Sequence, residues 1–441
     1  MKTSEKKENI VRNVNEPIDS VISEGSPDVF YGLPREVVFC RRCVISNQRP
    51  NSTIEYQHTA DSKKQTINFD EEGVCDACRV AENKENEIDW SEREKQLREL
   101  CNQHRKNGFG YDCLVPGSGG KDSFYAAHTL KYKYGMSPLT VTWAPHRYTE
   151  WGWRNFQAWI DAGFDNYLMT PNPRIHRLIT RLAVENLFHP FQPFILGQKA
   201  LAPKMAELFS IPLIFYGENE AEYGNPLQDT ESAKRDMGYF TGDGEADIYL
   251  GGVSTEELQA EYGVNRVDLE AYMPISSDSV GRKNIEVHYL GYYLRWHPQG
   301  AYYYAVENGG FQASPERTPG TYSKYNSIDD KIDDLHYYTT FIKFGIGRAT
   351  YDASQEIRNG EITREEGVAL VAKYDGEYPD RFETELFKYL SIPVEEYPVA
   401  SKRLEQLIMD RDYFNSLVDS FRSPHLWVRE YSEWKLRHTL T

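Results

Sequence analysis

A glycine-rich run at positions 116–123, PGSGGKDS, has the composition of a loop that holds phosphate groups. Glycines allow successive backbone N–H groups to converge on one anion, and the helix predicted to follow presents further free N–H groups to the same charge. The other side chains offer a cation for phosphate oxygens, hydroxyl donors and a carboxylate that can hold Mg²⁺. We therefore predict an anion site formed by Gly117, Ser118, Gly119, Gly120, Lys121, Asp122 and Ser123.

This run differs from the commoner phosphate-binding motifs. Asp122 separates Lys121 from Ser123, which excludes the Walker pattern, and the run is not a dinucleotide-binding GxGxxG motif either. An ordinary glycine-rich turn between a strand and a helix is the alternative interpretation.

Two cysteine pairs form a second chemical pattern. Cys40-x-x-Cys43 and Cys75-x-x-Cys78 have the spacing of a tetrahedral zinc ribbon. Four thiolates leave no open coordination position, so we predict a structural rather than a catalytic Zn²⁺. An iron–sulfur cluster and a pair of redox dithiols are the alternatives.

The pattern of apolar runs predicts the scaffold that positions these groups. Short apolar runs bounded by Gly, Pro or Asp are typical of buried strands, and stretches of helical length and spacing separate them. The predicted strands are YDCLVP (111–116), PLTVTWA (138–144), DNYLM (165–169) and IPLIFYG (211–217). This alternation predicts an α/β fold with a mostly parallel sheet covered by helices on both faces.

The same pattern divides the chain into regions. We predict a disordered tail over 1–30, a zinc-ribbon module over 31–88, the α/β domain with the glycine loop over 89–260, and a mostly helical C-terminal region over 261–441. Capping boxes are predicted to start helices at Ser91 with Glu94 and at Thr363 with Glu366.

The amino-acid composition favours some classes of binding partner over others. The chain of 441 residues has a net charge of −17 and lacks a contiguous basic stripe, which disfavours nucleic acid and favours small molecules. It shows neither a signal peptide nor a run of about 18 apolar residues that would insert into a membrane, so we predict a cytoplasmic protein. Its 31 Tyr, 20 Phe and 8 Trp are enough for a sizeable core.

The glycine run resembles the SGGxDS signature of the ATP pyrophosphatase family, the PP-loop enzymes. The resemblance implies an adenine nucleotide alpha hydrolase-like domain whose loop grips the β and γ phosphates of ATP. A substrate oxygen then attacks the α phosphate and pyrophosphate leaves. It also implies that Lys121 and Asp122 take part in catalysis.

Longer stretches resemble a narrower family. PLTVTWAPHRYTEWGWRNFQAWIDAGFDNYLMTPNP, HPFQPFILGQKALAPKMAELFSIPLIFYGENEAEYGNP and FIKFGIGRATYDASQEIRNGEITREEGVALVAKYDGEYP are similar to the N-acetyl sugar amidotransferase family of lipopolysaccharide and flagellar glycan biosynthesis, from about residue 37 to about residue 414. The resemblance implies that an acetamido group on a nucleotide sugar becomes an acetamidino group. It also implies a separate glutaminase subunit that delivers ammonia.

Four further residues are candidates for this chemistry. Glu218 and Glu220 follow a predicted strand, where they can hold Mg²⁺ or orient ammonia, and a solvated acidic loop is the alternative. Lys343 and Arg348 flank two glycines and can reach the pyrophosphate or the sugar nucleotide, and surface cations are the alternative. Histidines without metal spacing are predicted to be structural: His176, His189, His288, His297 and His336.

Two other functions remain open from the sequence. Some tRNA thiolases also combine a PP-loop with cysteine pairs, but they need a basic surface for tRNA and usually further cysteines for sulfur transfer. This chain is acidic and has only two cysteines outside the pairs. A non-catalytic, zinc-stabilised subunit of a synthase complex is the other alternative.

Overall fold

A parallel five-stranded sheet forms the centre of the molecule. The computed structural model describes residues 26–225, 232–242, 248–393, 395 and 404–440. Most of the predicted N-terminal tail, residues 1–25, therefore lies outside the described residues. The predicted α/β class with a parallel sheet and a helical C-terminal region is confirmed.

The bounds of the elements are as follows. The strands are β1 (Cys113–Pro116), β2 (Pro138–Trp143), β3 (Asn166–Met169), β4 (Leu213–Tyr216), β5 (Tyr249–Leu250), β6 (Val253–Ser254), β7 (Glu286–Tyr289), β8 (Trp427–Glu430) and β9 (Glu433–Leu436). The helices are α1 (Asp76–Asn86), α2 (Trp90–His104), α3 (Lys121–His128), α4 (Glu150–Asp161), α5 (Pro173–Leu187), α6 (Gln192–Phe209), α7 (Thr255–Tyr262), α8 (Arg266–Leu269), α9 (Ser277–Lys283), α10 (Leu290–Tyr293), α11 (Pro298–Gly309), α12 (Ile332–Phe344), α13 (Arg348–Arg358), α14 (Arg364–Tyr374), α15 (Glu383–Leu390) and α16 (Arg411–Phe421).

Strand order in the sheet is β3-β2-β1-β4-β7, and all neighbours are parallel. From β1 the chain moves outward through β2 and β3, then returns to the other side of β1 with β4. The direction of winding therefore reverses between β1 and β4, and the carboxyl ends of these two strands open a crevice of the kind in which parallel α/β sheets bind ligands.

Alternating side chains of the central strands fill two separate cores. Leu114 and Ile214 point into the core formed with α5 and α6, whereas Val115 and Phe215 point into the core formed with α3 and α4. This period of two is expected for strands covered on both faces. The sheet is therefore held from both sides, which fixes the position of the loop that follows β1.

Two local predictions were wrong. The strand β3 is not fully buried, because it lies at the sheet edge and exposes Tyr167 and Leu168. Helix α2 begins after Asp89, whose carboxylate accepts hydrogen bonds from the backbone N–H groups of Ser91 and Glu92, so Ser91 is not its N-cap. The fifth strand, β7, comes from beyond residue 260, so the sheet includes one strand from the mostly helical C-terminal region.

The capping box at the start of α14 is confirmed, since Thr363 and Glu366 exchange side-chain-to-backbone hydrogen bonds. The helical C-terminal region packs around its own core, which includes Leu335, Phe414 and Trp427. The cysteine module contacts this region through Ile346, Tyr351 and Ile357. As a result, the module and α13 form facing walls above the sheet.

Candidate functional site

The glycine-rich run forms the turn between β1 and α3, at the carboxyl end of the central strand. Gly119 has a φ of +88°, and a Cβ there would lie 2.8 Å from the backbone oxygen of Asn155. A Cβ at Gly117 would lie 2.2 Å from the Cβ of Ser123. Both positions therefore require glycine, because the backbone of α4 and the loop's own return leave no room for a side chain.

Charged side chains surround this turn. The ammonium of Lys121 is buried and lies 2.6 Å from the carboxylate of Asp122, whose other oxygen accepts a hydrogen bond of 2.9 Å from the indole of Trp296. Gly217, directly after β4, packs against the backbone of Asp122, so a Cβ there would come within 2.3 Å of its carbonyl oxygen. This close approach brings the ends of β1 and β4 together.

Glu218 follows Gly217, and its buried carboxyl group lies near Asp122 and Lys121. Burial and, to a smaller extent, the negative charge of Asp122 raise the pKa of its carboxyl to about 7. Two neighbouring carboxylates that disfavour each other's charge are a donor set for a divalent cation, which would relieve the repulsion. Asp122 and Glu218 therefore fit Mg²⁺.

Two cavities meet at the glycine loop, and both are lined by Ser118, Gly120 and Asp122. The smaller cavity has a volume of about 220 Å³ and the larger one about 550 Å³. A group held on the loop can therefore face both cavities at once.

The smaller cavity is built from the sheet and α6. Its walls combine the ends of β1, β2 and β4 with apolar and aromatic side chains, which suit a flat ring. Besides the loop they comprise Pro116, Val141, Trp143, Gln198, Leu201, Tyr216, Gly217 and Glu218.

The larger cavity is built from distant parts of the chain. The cysteine module forms one wall with residues 49–53, Glu55, His58 and Lys64, and α12 and α13 form another. Among its lining residues are six Lys or Arg and only four Asp or Glu. The lining of the larger cavity is therefore net positive, although the whole chain has a net charge of −17. A positive lining favours an anionic ligand.

Lys343 and Arg348, two residues predicted from the sequence, both line the larger cavity. The ammonium of Lys343 is buried and donates to the carbonyl oxygen of Leu187 at 2.7 Å. Arg348 is paired with Asp352 at 3.0 Å and also contacts the hydroxyl of Tyr337. Among the described residues, Arg348 therefore has a carboxylate partner, whereas Lys343 is bonded only to a backbone carbonyl oxygen.

Glu220 is not brought to the loop. A short 3₁₀ helix, Glu220–Tyr223, turns its carboxylate away from Glu218 and towards Arg235 and Asn225. Glu220 lines neither of the two cavities at the loop. Its predicted catalytic role therefore has no geometric support.

Sequence reasoning missed several residues of the larger cavity. His189 and His336 were predicted to be structural, but both line it, together with Arg49, Glu55 and Lys64. One signal was available, because polar residues at 336, 340 and 343 repeat at i, i+4 and i+7 on one face of α12. The contribution of the cysteine module had no such signal, since it depends on packing between segments far apart in sequence.

The four paired cysteines form one buried cluster. Their sulfur atoms all lie within 4.8 Å of one another, with Cys40 to Cys78 at 3.8 Å and Cys43 to Cys75 at 3.7 Å. Four thiolates around one Zn²⁺ at the usual bond length stand about 3.8 Å apart, whereas a disulfide bond is much shorter. The cluster therefore fits a single tetrahedral ion and does not fit a pair of disulfides.

One protein-family model matches the C-terminal part of the chain. Residues 319–441 match the family model described as "LPS biosynthesis protein WbpG-like, C-terminal domain". The resemblance to lipopolysaccharide biosynthesis proteins is confirmed. This WbpG-like region is the C-terminal part of the chain, and the glycine loop lies on the parallel α/β sheet outside it.

Other similarities are narrower. An uncharacterized protein of Methanocaldococcus jannaschii, MJ1599, is 32% identical over 84 residues, which are 19% of this chain and 29% of that protein. The structure of NMN synthetase from Francisella tularensis aligns with 52% of this chain and 100% of its own, at 13% identity and a TM-score of 0.23. Across the segments that the structure describes, no helix combines the length and apolar character needed to cross a membrane.

Proposed function

We propose that this chain is an ATP-dependent amidotransferase that adenylates the acetamido oxygen of an N-acetylated sugar, carried on a nucleotide, and replaces that oxygen with ammonia. The observation that carries the proposal is the position of the glycine loop between two cavities. A transferred group held on the loop would lie between a nucleotide on one side and an acceptor on the other. The WbpG-like match supports a product destined for surface polysaccharide or flagellar glycan.

ATP would occupy the smaller cavity, with its adenine against Val141 and Trp143 and its phosphates on the loop. The N–H groups at the start of α3 and the ammonium of Lys121 would hold the β and γ phosphates. Mg²⁺ bound by Asp122 and Glu218 would neutralise part of the phosphate charge. The pyrophosphate that leaves would therefore remain on the loop.

The acceptor would occupy the larger cavity, with its acetamido group at the loop end. The amide oxygen attacks the α phosphorus, the bond to the bridging oxygen breaks, and pyrophosphate leaves. Ammonia then adds to the carbon of the adenylated amide, a proton is lost, and AMP leaves with the former amide oxygen. A pocket that excludes water favours this route, since water attack would only regenerate the amide.

The cysteine cluster would hold a structural Zn²⁺ through Cys40, Cys43, Cys75 and Cys78. Four thiolates fill the coordination sphere of the ion, so it would not take part in the reaction. Its contribution would be to keep the module folded, so that residues 49–64 stay in the wall of the larger cavity. Ammonia would come from a separate glutaminase subunit.

One reaction tests this proposal. Purified protein is incubated with ATP, Mg²⁺, ammonium and candidate acetamido sugar nucleotides, and AMP and product masses are measured. We expect AMP release that depends on the acceptor, together with the small mass decrease of amide-to-amidine exchange. AMP release that requires tRNA and a sulfur donor would instead indicate a thiolase, and no AMP release under either condition would leave a non-catalytic subunit.

A further inference from the structure

Four carboxylate side chains line the larger cavity, and they differ in their partners. Three of them are bonded to a basic side chain, Asp122 to Lys121, Asp352 to Arg348 and Glu55 to His58. The fourth is Asp329, and within the described parts of the chain no Lys, Arg or His nitrogen lies within 4.0 Å of its carboxylate. Asp329 is therefore the carboxylate of this cavity that remains available for a reacting group.

Helix α4 holds Asp329 next to the glycine loop. A Cβ at Gly152 would lie 2.4 Å from the Cα of Asp329, and one turn later the backbone of Asn155 packs against Gly119 of the loop. Residues three apart lie on the same face of a helix, so Asp329 and the loop meet the same side of α4, about 5 Å apart along its axis. The hydroxyl of Ser118 in the loop is a hydrogen-bonding partner of the Asp329 carboxylate.

Hydrogen bonds on both sides fix the segment that carries Asp329. The backbone N–H of Thr149 donates to the carbonyl oxygen of Asp329 at 3.1 Å, and the hydroxyl of Thr149 donates to that of Ile328. The buried carboxylate of Asp330 accepts from the backbone N–H and from the Nδ1 atom of His146, both at 2.7 Å. Proton transfer requires a base in a fixed position, and this segment provides one.

The amination step of the proposed reaction needs a group that accepts a proton. When neutral ammonia bonds to the carbon of the adenylated amide, its nitrogen becomes positively charged, and it must lose a proton before its lone pair can expel AMP. Burial raises the pKa of Asp329, the hydrogen bond from Ser118 opposes this shift, and the charge of Asp330 adds to it. A raised pKa makes the carboxylate a stronger base near neutral pH.

We propose that Asp329 is the general base of the amination step, and that its carboxylate takes the proton that the ammonia nitrogen loses after it bonds to the carbon of the adenylated amide. The lone pair of this nitrogen then expels AMP with the former amide oxygen, and Asp329 returns its proton to solvent. This inference rests on the proposed function. Adenylation itself uses the amide oxygen as nucleophile and does not need this base.

The two steps can be measured separately, which tests this role. Adenylation is followed without ammonium, as the transfer of labelled pyrophosphate into ATP, with the acetamido sugar nucleotide that gives the highest AMP release. Amination is followed with ammonium, as the rate of amidine formation by mass spectrometry. For Asp329→Asn we expect pyrophosphate exchange to stay close to that of the wild type and amidine formation to fall about a hundredfold to a thousandfold, because Asn cannot take the proton.

The variants are chosen to separate the carboxylate from the fold. Asp278→Asn, at an exposed position in the first turn of α9, is the matched control and should equal the wild type in both assays. Thermal stability and binding of α,β-methylene-ATP, an analogue that cannot release pyrophosphate, show whether each variant is folded. Asp329→Glu is the second variant, and its amidine formation should lie between those of the wild type and Asp329→Asn, because it keeps a carboxylate in a displaced position.

A second nucleophile distinguishes a base from a residue that only shapes the site. The nitrogen of a hydroxylamine adduct is a stronger acid than that of an ammonia adduct, so it loses its proton to water more readily. We therefore expect the loss caused by Asp329→Asn to be about tenfold smaller with hydroxylamine than with ammonium.

Three results would overturn the general base. The first is amidine formation by folded Asp329→Asn at the wild-type rate. The second is pyrophosphate exchange that falls as much as amidine formation, and the third is an equal loss with both nucleophiles. A different outcome concerns the proposed function, since a wild-type protein with neither pyrophosphate exchange nor AMP release for any acceptor would contradict the reaction itself.

Discussion

The two cavities that meet at the glycine loop differ in how they are made. The smaller one is formed by consecutive βα units and lies at the point where the sheet reverses its direction of winding. The larger one needs the cysteine module, the end of α5, and α12 with α13, segments that are distant in sequence. The smaller cavity, which we propose for the nucleotide, follows from the fold, whereas the larger cavity, which we propose for the acceptor, depends on segments added to the fold.

The two cavities also differ in the charges that line them. The smaller cavity brings two carboxylates, Asp122 and Glu218, to the loop beside one cation, Lys121. The larger cavity is net positive, and its remote end has two lysines around a single carboxylate. Changes in one cavity should therefore affect nucleotide use, and changes in the other should affect the choice of acceptor.

Loss of the loop cation should have the largest effect. Lys121→Ala removes the ammonium that would bind the β and γ phosphates, and we expect AMP release to fall about a thousandfold. Helix α3 should still form, because Gly120 and the following residues retain their backbone hydrogen bonds. Rapid AMP release by a correctly folded Lys121→Ala protein would remove the loop from the mechanism, and Lys373→Ala, at an exposed position on α14, provides the control.

Loss of the metal proposed for the cysteine cluster should weaken ligand binding in the larger cavity more than in the smaller one. Cys43→Ser opens the cysteine cluster, so we expect the zinc content to fall and acceptor binding to weaken about a hundredfold, by loss of several charge-assisted hydrogen bonds. Binding of α,β-methylene-ATP should change much less, because the module does not line the smaller cavity. Cys101→Ala, at a buried position of α2, is the matched control for a cysteine outside the cluster. Equal loss of both ligands in Cys43→Ser would show that the cavities are not independent.

Two neighbouring glutamates should behave differently. Glu218→Gln removes a carboxylate beside Asp122, and we expect the Mg²⁺ concentration needed for half-maximal AMP release to rise about tenfold. Glu220→Gln instead leaves the buried Arg235 without its carboxylate, so it should lower the free energy of unfolding by about 3 kcal/mol with little change in turnover. The reverse pattern would assign the metal to Glu220.

A change of pH should have the smallest effect on acceptor binding, measured apart from turnover. Burial and, to a smaller extent, the charge of Lys64 lower the pKa of Lys343 to about 7, and Glu55 opposes this shift. His336, which faces the same space, has its pKa lowered by burial to about 3 and stays neutral. Lys343 is therefore charged below about pH 7 and loses its charge as the pH rises, so acceptor affinity should fall several-fold above that pH.

The variant Lys343→Arg provides the control for this pH dependence. Arginine remains charged over the whole range, so its affinity for the acceptor should be nearly constant from pH 6 to 9. The same slope in both proteins would attribute the pH dependence to another group.

Local patterns were sufficient for the parts of the fold that repeat. The βα alternation, the glycine run and the paired cysteines each depend on residues close together in sequence, and the parallel sheet, the position of the loop and the cysteine cluster agree with them. The exposed edge strand β3 and the late fifth strand β7 could not be predicted, because burial and strand order depend on the whole sheet. The N-cap of α2 was wrong by two residues, since Asp89 is as good a cap as Ser91.

In the site too, residues within a local sequence pattern could be predicted, and residues brought in by packing could not. Glu218 was identified because it follows a strand, but the 3₁₀ turn that rotates Glu220 away leaves no pattern in the sequence. Lys343 was identified beside its glycines, whereas Glu55, His58 and Lys64 come from a module that the sequence assigns only to metal binding. Residues that join a site through packing between distant segments carry no local signal.

The fate of the amide oxygen tests the central claim most directly. The acceptor is prepared with heavy oxygen in its acetamido group and is converted by the protein with ATP, Mg²⁺ and ammonium. The proposed reaction has the amide oxygen attack the α phosphorus, so we predict that the label appears in the phosphate of AMP. Label in pyrophosphate or in water, with unlabelled AMP, would contradict adenylation of the amide.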